Sequence, residues 1–200
     1  RRAASTNNMR EIILGTANYE NQNGHFPPRA NFDENGEPLL SWRVHILPYL
    51  GEQALYDQFK LDEPWDSPHN RELIARMPEV YRNPSSTAEP GKANYLAVVG
   101  KGLAFEGTEG RKLDDLLLAD GPAYTIMVVG ANDDEAVVWT KPDDWQFDPE
   151  RPLAGLGKAH PGGFVAGFFD GSVHFLSADI DPEMFERLCK IADGEPADFQ

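Results

Sequence analysis

Cysteine is almost absent from this chain. Of its 200 residues one is a cysteine, Cys189. That excludes an intrachain disulfide and any zinc site built on several thiolates. Cys189 sits in the helical pattern MFERLCKIA, where its expected role is a small buried apolar residue rather than a nucleophile. Long apolar runs are missing too: none reaches the roughly 18 residues that a bilayer-spanning helix needs. Positive charge is scarce, with 18 Lys and Arg against 33 Asp and Glu and a formal net charge of -15. Such a surface repels phosphate backbones and anionic lipid, so nucleic acid is excluded as an expected partner. The local exception is the start, where Arg1, Arg2 and Arg10 stand with no acid among them. Catalytic signatures are lacking as well. There is no GxSxG, HExxH, P-loop or GxGxxG. The histidines at 25, 45, 69, 160 and 174 show no HxH or HxxxH spacing, so a zinc triad would need distant segments to converge.

Glycine and proline, 18 and 16 in number, are plentiful and predict a loop-rich fold rather than a helical bundle. Residues 1–24 read as one amphipathic helix, with Met9, Ile12, Ile13 and Thr16 on a stripe and Gly24 as the stop signal. Residues 25–79 read as loop and short helices. Ser41 is the N-cap of an apolar segment that Pro48 and Gly51 divide in two, and Asn70 caps RELIARMP. Residues 80–200 read as a β-sheet region with a terminal helix, NYLAVVG, YTIMVVGA and EAVVWT being strands and Asp181-Pro182 starting the helix. Helices followed by a mainly antiparallel sheet make the expected class α+β, in a single domain.

The stretch AHPGGFVAGFFDGSVHFLS carries the strongest local signal. Asp170-Gly171 between apolar runs predicts a β-hairpin with a two-residue type I′ turn. That register pairs Phe169 with Ser172 and Phe168 with Val173. It places Phe164, Ala166, Phe168, Val173 and Phe175 on one core face. Gly167 leaves room for a close approach by another segment. His160 lies in the loop before the first strand, where the hairpin does not require it.

These residues resemble the DUF1559 family, abundant in planctomycetes, whose members look like type IV pilins or type II secretion pseudopilins. The carriers are a His, nine residues and Asp-Gly (His160 to Asp170-Gly171), preceded in order by AASTNNMREIILGTANYENQNGHFPP, SWRVHILPYLGEQALYDQF, EPWDSPHNREL, VYRNPSS, NYLAVVG and DGPAYTIMVV. The resemblance implies a pilin-like fold, with the N-terminal helix packed on the sheet. It also implies export to the cell envelope, and a prepilin leader and apolar helix upstream of Arg1 that would anchor the protein in the inner membrane. Members often carry Cys at the positions of Ser5 and Asn83, and a Glu at that of Gly130, so neither that disulfide nor that acid is available here.

The remaining candidate sites are modest. Trp139 and Trp145 flank TKPDD and are the best candidates for an exposed patch that, with His160, would hold a carbohydrate or peptide. Trp42 and Trp65 are expected beneath loops. DENGE and ANDDE offer oxygen ligands but read as polar turns. Asp179, Asp181 and Glu183 follow the hairpin and are the preferred calcium candidates, since some pseudopilins similar to this fold bind calcium near their C-terminus; Asp181 is also explained as an N-cap. No other cofactor is expected. The acid pairs Asp143-Asp144 and Asp114-Asp115 would have to act as a glycosidase dyad, a geometry that adjacent loop residues rarely reach. The leading expectation is a non-enzymatic structural or interaction protein whose partners are other pilin-like subunits or envelope proteins. The part in hand is expected to be monomeric by itself. A surface binding module is the alternative, and a hydrolase the weaker one.

Overall fold

A computed structural model describes residues 1–191. Its first element, α1 (Arg2–Asn23), ends as its sequence dictates: Gly24 adopts the left-handed conformation at φ +79° and its N–H reaches Glu20 O at 2.7 Å. Then follow β1 (Ala30–Phe32), β2 (Pro38–Ser41), α2 (Trp42–His45), α3 (Gln53–Tyr56) and α4 (Pro68–Arg71). The rest comprises β3 (Lys92–Ala93), β4 (Tyr95–Val99), α5 (Leu113–Leu117), β5 (Ile126–Gly130), β6 (Val137–Val138), β7 (Trp145–Gln146), β8 (Gly163–Phe168), β9 (Val173–Ser177) and α6 (Pro182–Cys189). The principal sheet has the order β7-β4-β5-β8-β9, antiparallel except for the β4/β7 pair. This is the expected α+β arrangement, with the long N-terminal helix packed on a mainly antiparallel sheet.

Both faces of that sheet are covered. Met9, Ile12 and Ile13 of α1 are buried against one face, where Gly167 has no side chain and Ile13 sits over the gap. On the other face Phe164 meets Phe185 of α6 edge-on, ring centroids 5.6 Å apart. Every residue of β8 is therefore buried, which its apolar run GFVAGF permits.

The hairpin is real, but its register differs from the expected one. Phe164 pairs with Leu176, Ala166 with His174 and Gly167 with Val173, one residue away from the type I′ pairing. The loop holds three residues. Gly171 N–H bonds Phe168 O, Phe168 N–H bonds Ser172 O, and Gly171 alone takes positive φ, +89°. This is a type I turn closed by a glycine bulge. Asp170 stays out of the left-handed region because its carboxylate is used locally, accepting from Ser172 N–H at 2.9 Å. The shift moves Val173 and Phe175 off the face of Phe164, Ala166 and Phe168 and onto that of Gly167. The close approach at Gly167 does occur, and the approaching segment is α1.

The region between residues 25 and 79 is more structured than a loop reading suggests. DENGE is the turn of the β1/β2 hairpin, with Asp33 accepting from the N–H groups of Asn35 and Glu37. Ser41 caps α2 as expected. Pro48 does not break the chain; it opens a 3₁₀ turn, Leu47–Leu50, while Gly51 ends it. Ser67, not Asn70, caps the next helix. The buried Asn70 side chain instead bonds Lys60 N–H and O, Glu63 O and Pro64 O, fixing the preceding turn-rich segment.

Candidate functional site

Three loops meet at one end of the sheet, where β4 begins, β5 ends and β8 begins: residues 83–87, 131–134 and 155–160. Asp133 holds the first to the second. Its carboxylate accepts from Ser86 Oγ at 2.6 Å, Thr87 N–H at 2.8 Å, Thr87 Oγ1 at 3.2 Å and Asn94 Nδ2 at 2.9 Å. Partial desolvation opposes ionisation of Asp133, but these bonds outweigh it and hold the carboxyl below its ordinary range. Asn132 holds the second loop to the third: its N–H bonds Gly155 O and its Oδ1 accepts from Lys158 N–H at 2.8 Å. Asn94, fully buried, accepts from Asn83 N–H at 2.9 Å.

His160 belongs to this cluster. It is buried, 5% exposed, with Nε2 3.5 Å from Asn83 Nδ2 and its ring edge-on to Phe175. Asn83 Oδ1 already accepts from Ser85 N–H, so the amide presents a donor and His160 Nε2 is the acceptor of a neutral ring. Burial first, and then positive charge at the start of α1, Arg2 among it, keep that imidazole below its ordinary pKa. The guanidinium of Arg2 lies 3.5 Å from the centroid of the Phe175 ring, so the first turn of α1, the loop histidine and β9 share one aromatic contact. The same part of α1 ties to the Asn83 segment through Asn8 Nδ2 to Arg82 O at 3.1 Å and Ser5 Oγ to Tyr95 Oη at 3.0 Å. Ser5 and Asn83 are both buried.

The structure does not bring the other expected site residues to this cluster. Asp170 and Gly171 form the turn at the far end of β8. Trp139 and Trp145 are not exposed. Trp139 is 0% exposed, stacked on Tyr81 and edge-on to Phe59, with Nε1–H donated to Ile74 O. Trp145 is 2% exposed, against Phe147 and Phe185, with Nε1–H donated to Ala154 O. Each indole thus satisfies its single donor inside the core, which removes the aromatic patch proposed for the 139–160 stretch. Asp181 caps α6 by accepting from Glu183 N–H at 2.9 Å. Among the described residues no three His, Cys, Asp or Glu side chains converge to hold a metal, and Asp179, Asp181 and Glu183 form no such group. The imidazoles of His25, His45, His69 and His160 meet Phe26 O, Asn31 Oδ1, Gln58 O and Asn83 rather than carboxylates, so the hydrolase reading gains no dyad from them.

Sequence reasoning missed the buried ion pair. Arg43, 0% exposed, donates to Trp139 O, Tyr95 O, Lys141 O, Asp143 O and, at 2.7 Å, to Asp144 Oδ1. Asp144 Oδ1 also accepts from Ala97 N–H and Trp42 Nε1–H. All five guanidinium donors are used, as a buried arginine requires. Burial raises the Asp144 carboxyl above its ordinary range, against the pull of Arg43 and the two N–H groups. A lone cation inside the apolar run SWRVHIL was the signal. DDW supplied its partner, the acid pair being a lock for the loop rather than a dyad.

The family comparison supports the resemblance read from the sequence. No curated protein and no solved structure matches the chain. Residues 1–114, more than half of its length, match the family described as a protein of unknown function, DUF1559. The chain belongs to the DUF1559 family.

Proposed function

We propose that this chain is the globular domain of an exported, pilin- or pseudopilin-like subunit, a structural and interaction protein rather than an enzyme, anchored in the inner membrane through an apolar extension of α1. The observation that carries the reading is the seating of α1. A 22-residue helix lies on the sheet by a single stripe, Met9, Ile12, Ile13 and Thr16, closely enough that the strand beneath it carries glycine at position 167. The helix is also fixed at its first turns, through Ser5, Asn8 and Arg2, so a load on its start passes directly into the sheet. The Arg43–Asp144 lock and the two buried indoles stiffen the opposite edge. These features suit a rigid body carried on a helix.

The test is expression of the complete coding sequence in its native host, followed by envelope fractionation and cross-linking. An inner-membrane protein that yields a ladder of cross-linked species supports the reading. A protein recovered only from the cytoplasm, or anchored yet strictly monomeric, overturns the subunit assignment.

A further inference from the structure

The cluster at the end of the sheet encloses a cavity of about 290 Å³. That is near the lower bound, about 300 Å³, of small-molecule sites. Its walls are held by bonds that need no ligand: Asp133 spends its acceptors on Ser86, Thr87 and Asn94, and Asn132 Oδ1 on Lys158 N–H. Four groups that line it are left over. Asn132 Nδ2 and the Ser85 hydroxyl have no hydrogen-bond partner among the described residues, and neither is sealed from water. Lys158 and Asp134 line the same cavity, and among the described residues neither is in an ion pair.

We propose that this cavity binds a small zwitterion of amino-acid size. Its carboxylate would face Lys158, Asn132 Nδ2 and Ser85, and its ammonium would face Asp134. The amide N–H₂ and the hydroxyl have no protein partner to give up, so both are available to donate to an incoming oxygen. Opposite charges that share a cavity without neutralising each other match a ligand carrying both signs. A net anion would meet Asp134 and the overall charge of -15. A sugar or base would find no ring to stack on, because no aromatic side chain among the described residues lines the cavity. Both charged side chains are exposed, so the expected Kd is on the order of 1 mM.

The experiment is a titration of the ¹⁵N-labelled chain with L-alanine and L-glutamine. It follows the Asn132 side-chain amide and the backbone amides of Ser85 to Thr87, with acetate, ethylamine and glucose as comparison probes. Saturable shifts from the amino acids alone are expected. Asp134→Asn and Lys158→Gln, both at exposed positions that leave the loop bonds intact, should each weaken binding about fivefold. The proposal is overturned by the absence of saturation up to about ten times that Kd. It is equally overturned by an equal response to glucose or to either single-charge probe, or by unchanged binding in both variants. None of these outcomes depends on whether the protein assembles in an envelope.

Discussion

Replacing Gly167 by alanine tests the helix–sheet contact directly. Gly167 lies in a strand with ordinary negative φ, so the substitution adds one methyl group and no backbone strain. That methyl would fall under 3.0 Å from Cγ1 and Cδ1 of Ile13 and 3.1 Å from Met9 Sδ. Cδ1 and the thioether can swing aside, but Cγ1 is held by the one χ1 rotamer that a helix strongly favours for isoleucine, so the helix must lift or Ile13 must leave that rotamer. Overpacking of this kind costs about 1–3 kcal/mol. The better strand propensity of alanine returns about 0.5–1 kcal/mol, leaving a net loss of about 0.5–2 kcal/mol. Ile13→Ala removes both clashing atoms and by itself costs about 2–5 kcal/mol through the cavity it leaves. In the double variant the new methyl occupies part of that cavity. Urea unfolding of the four species should therefore give a double variant more stable than the sum of the single effects predicts, by about 1 kcal/mol or more. Strict additivity, or a stabilised Gly167→Ala protein, would refute the claim that α1 seats on the sheet at this residue.

Asp144→Ala leaves the Arg43 guanidinium buried without its counter-ion and should cost about 3–5 kcal/mol, measured by the same unfolding assay; Arg43→Met with Asp144→Leu should recover most of that loss. Burial lowers His45 from 6.5 to about 4. The unfolded chain therefore binds the extra proton between those values, and stability is complete above pH 6.5 and lost as pH falls toward 4, by about 3 kcal/mol in all. The His45→Gln variant should show a visibly flatter stability profile from pH 7 to 5. His160 is lowered in the same sense, so some slope should remain. Cys189, fully buried and with its thiol pushed up by that burial, should react with a thiol reagent only as fast as the protein opens, so its labelling rate should rise with urea in step with unfolding.

Much of the architecture was legible because it depends on local chemistry. The stripe on α1, Gly24, the Ser41 and Asp181 caps and the β8/β9 hairpin all follow from residue type and spacing. The hairpin register was not legible. Asp-Gly serves both the two-residue and the three-residue loop, and the choice falls to Phe169, whose N–H bonds Thr125 O, the residue before β5, rather than its hairpin partner. Burial of Trp139 and Trp145 was hidden for a similar reason. The Pro- and Gly-rich stretch around them looks like surface loop, but it is folded over the sheet edge by Arg43, about 100 residues earlier in the chain. The polar cluster was legible only in part. His160 stood out through its motif, whereas Asn83, Asn94 and Asn132 are ordinary turn residues in sequence and become a network only when three loops converge.

The Arg43 lock also bears on the order in which the chain can fold. Four of its acceptors, Trp139 O, Lys141 O, Asp143 O and Asp144 Oδ1, lie beyond residue 114, as do β5, β8 and β9. The first 114 residues, the stretch that the family model matches, thus carry a buried cation with only one of its five acceptors, Tyr95 O, and a helix with only β4 of the principal sheet. On the ribosome that half must wait. Its contacts close over sequence separations of 96 to 101 residues, a high-contact-order topology in which collapse precedes any stable early unit. A fragment cut at the family boundary should behave as an unfolded chain, and the familiar half of this protein exists as structure only once the unfamiliar half has been made.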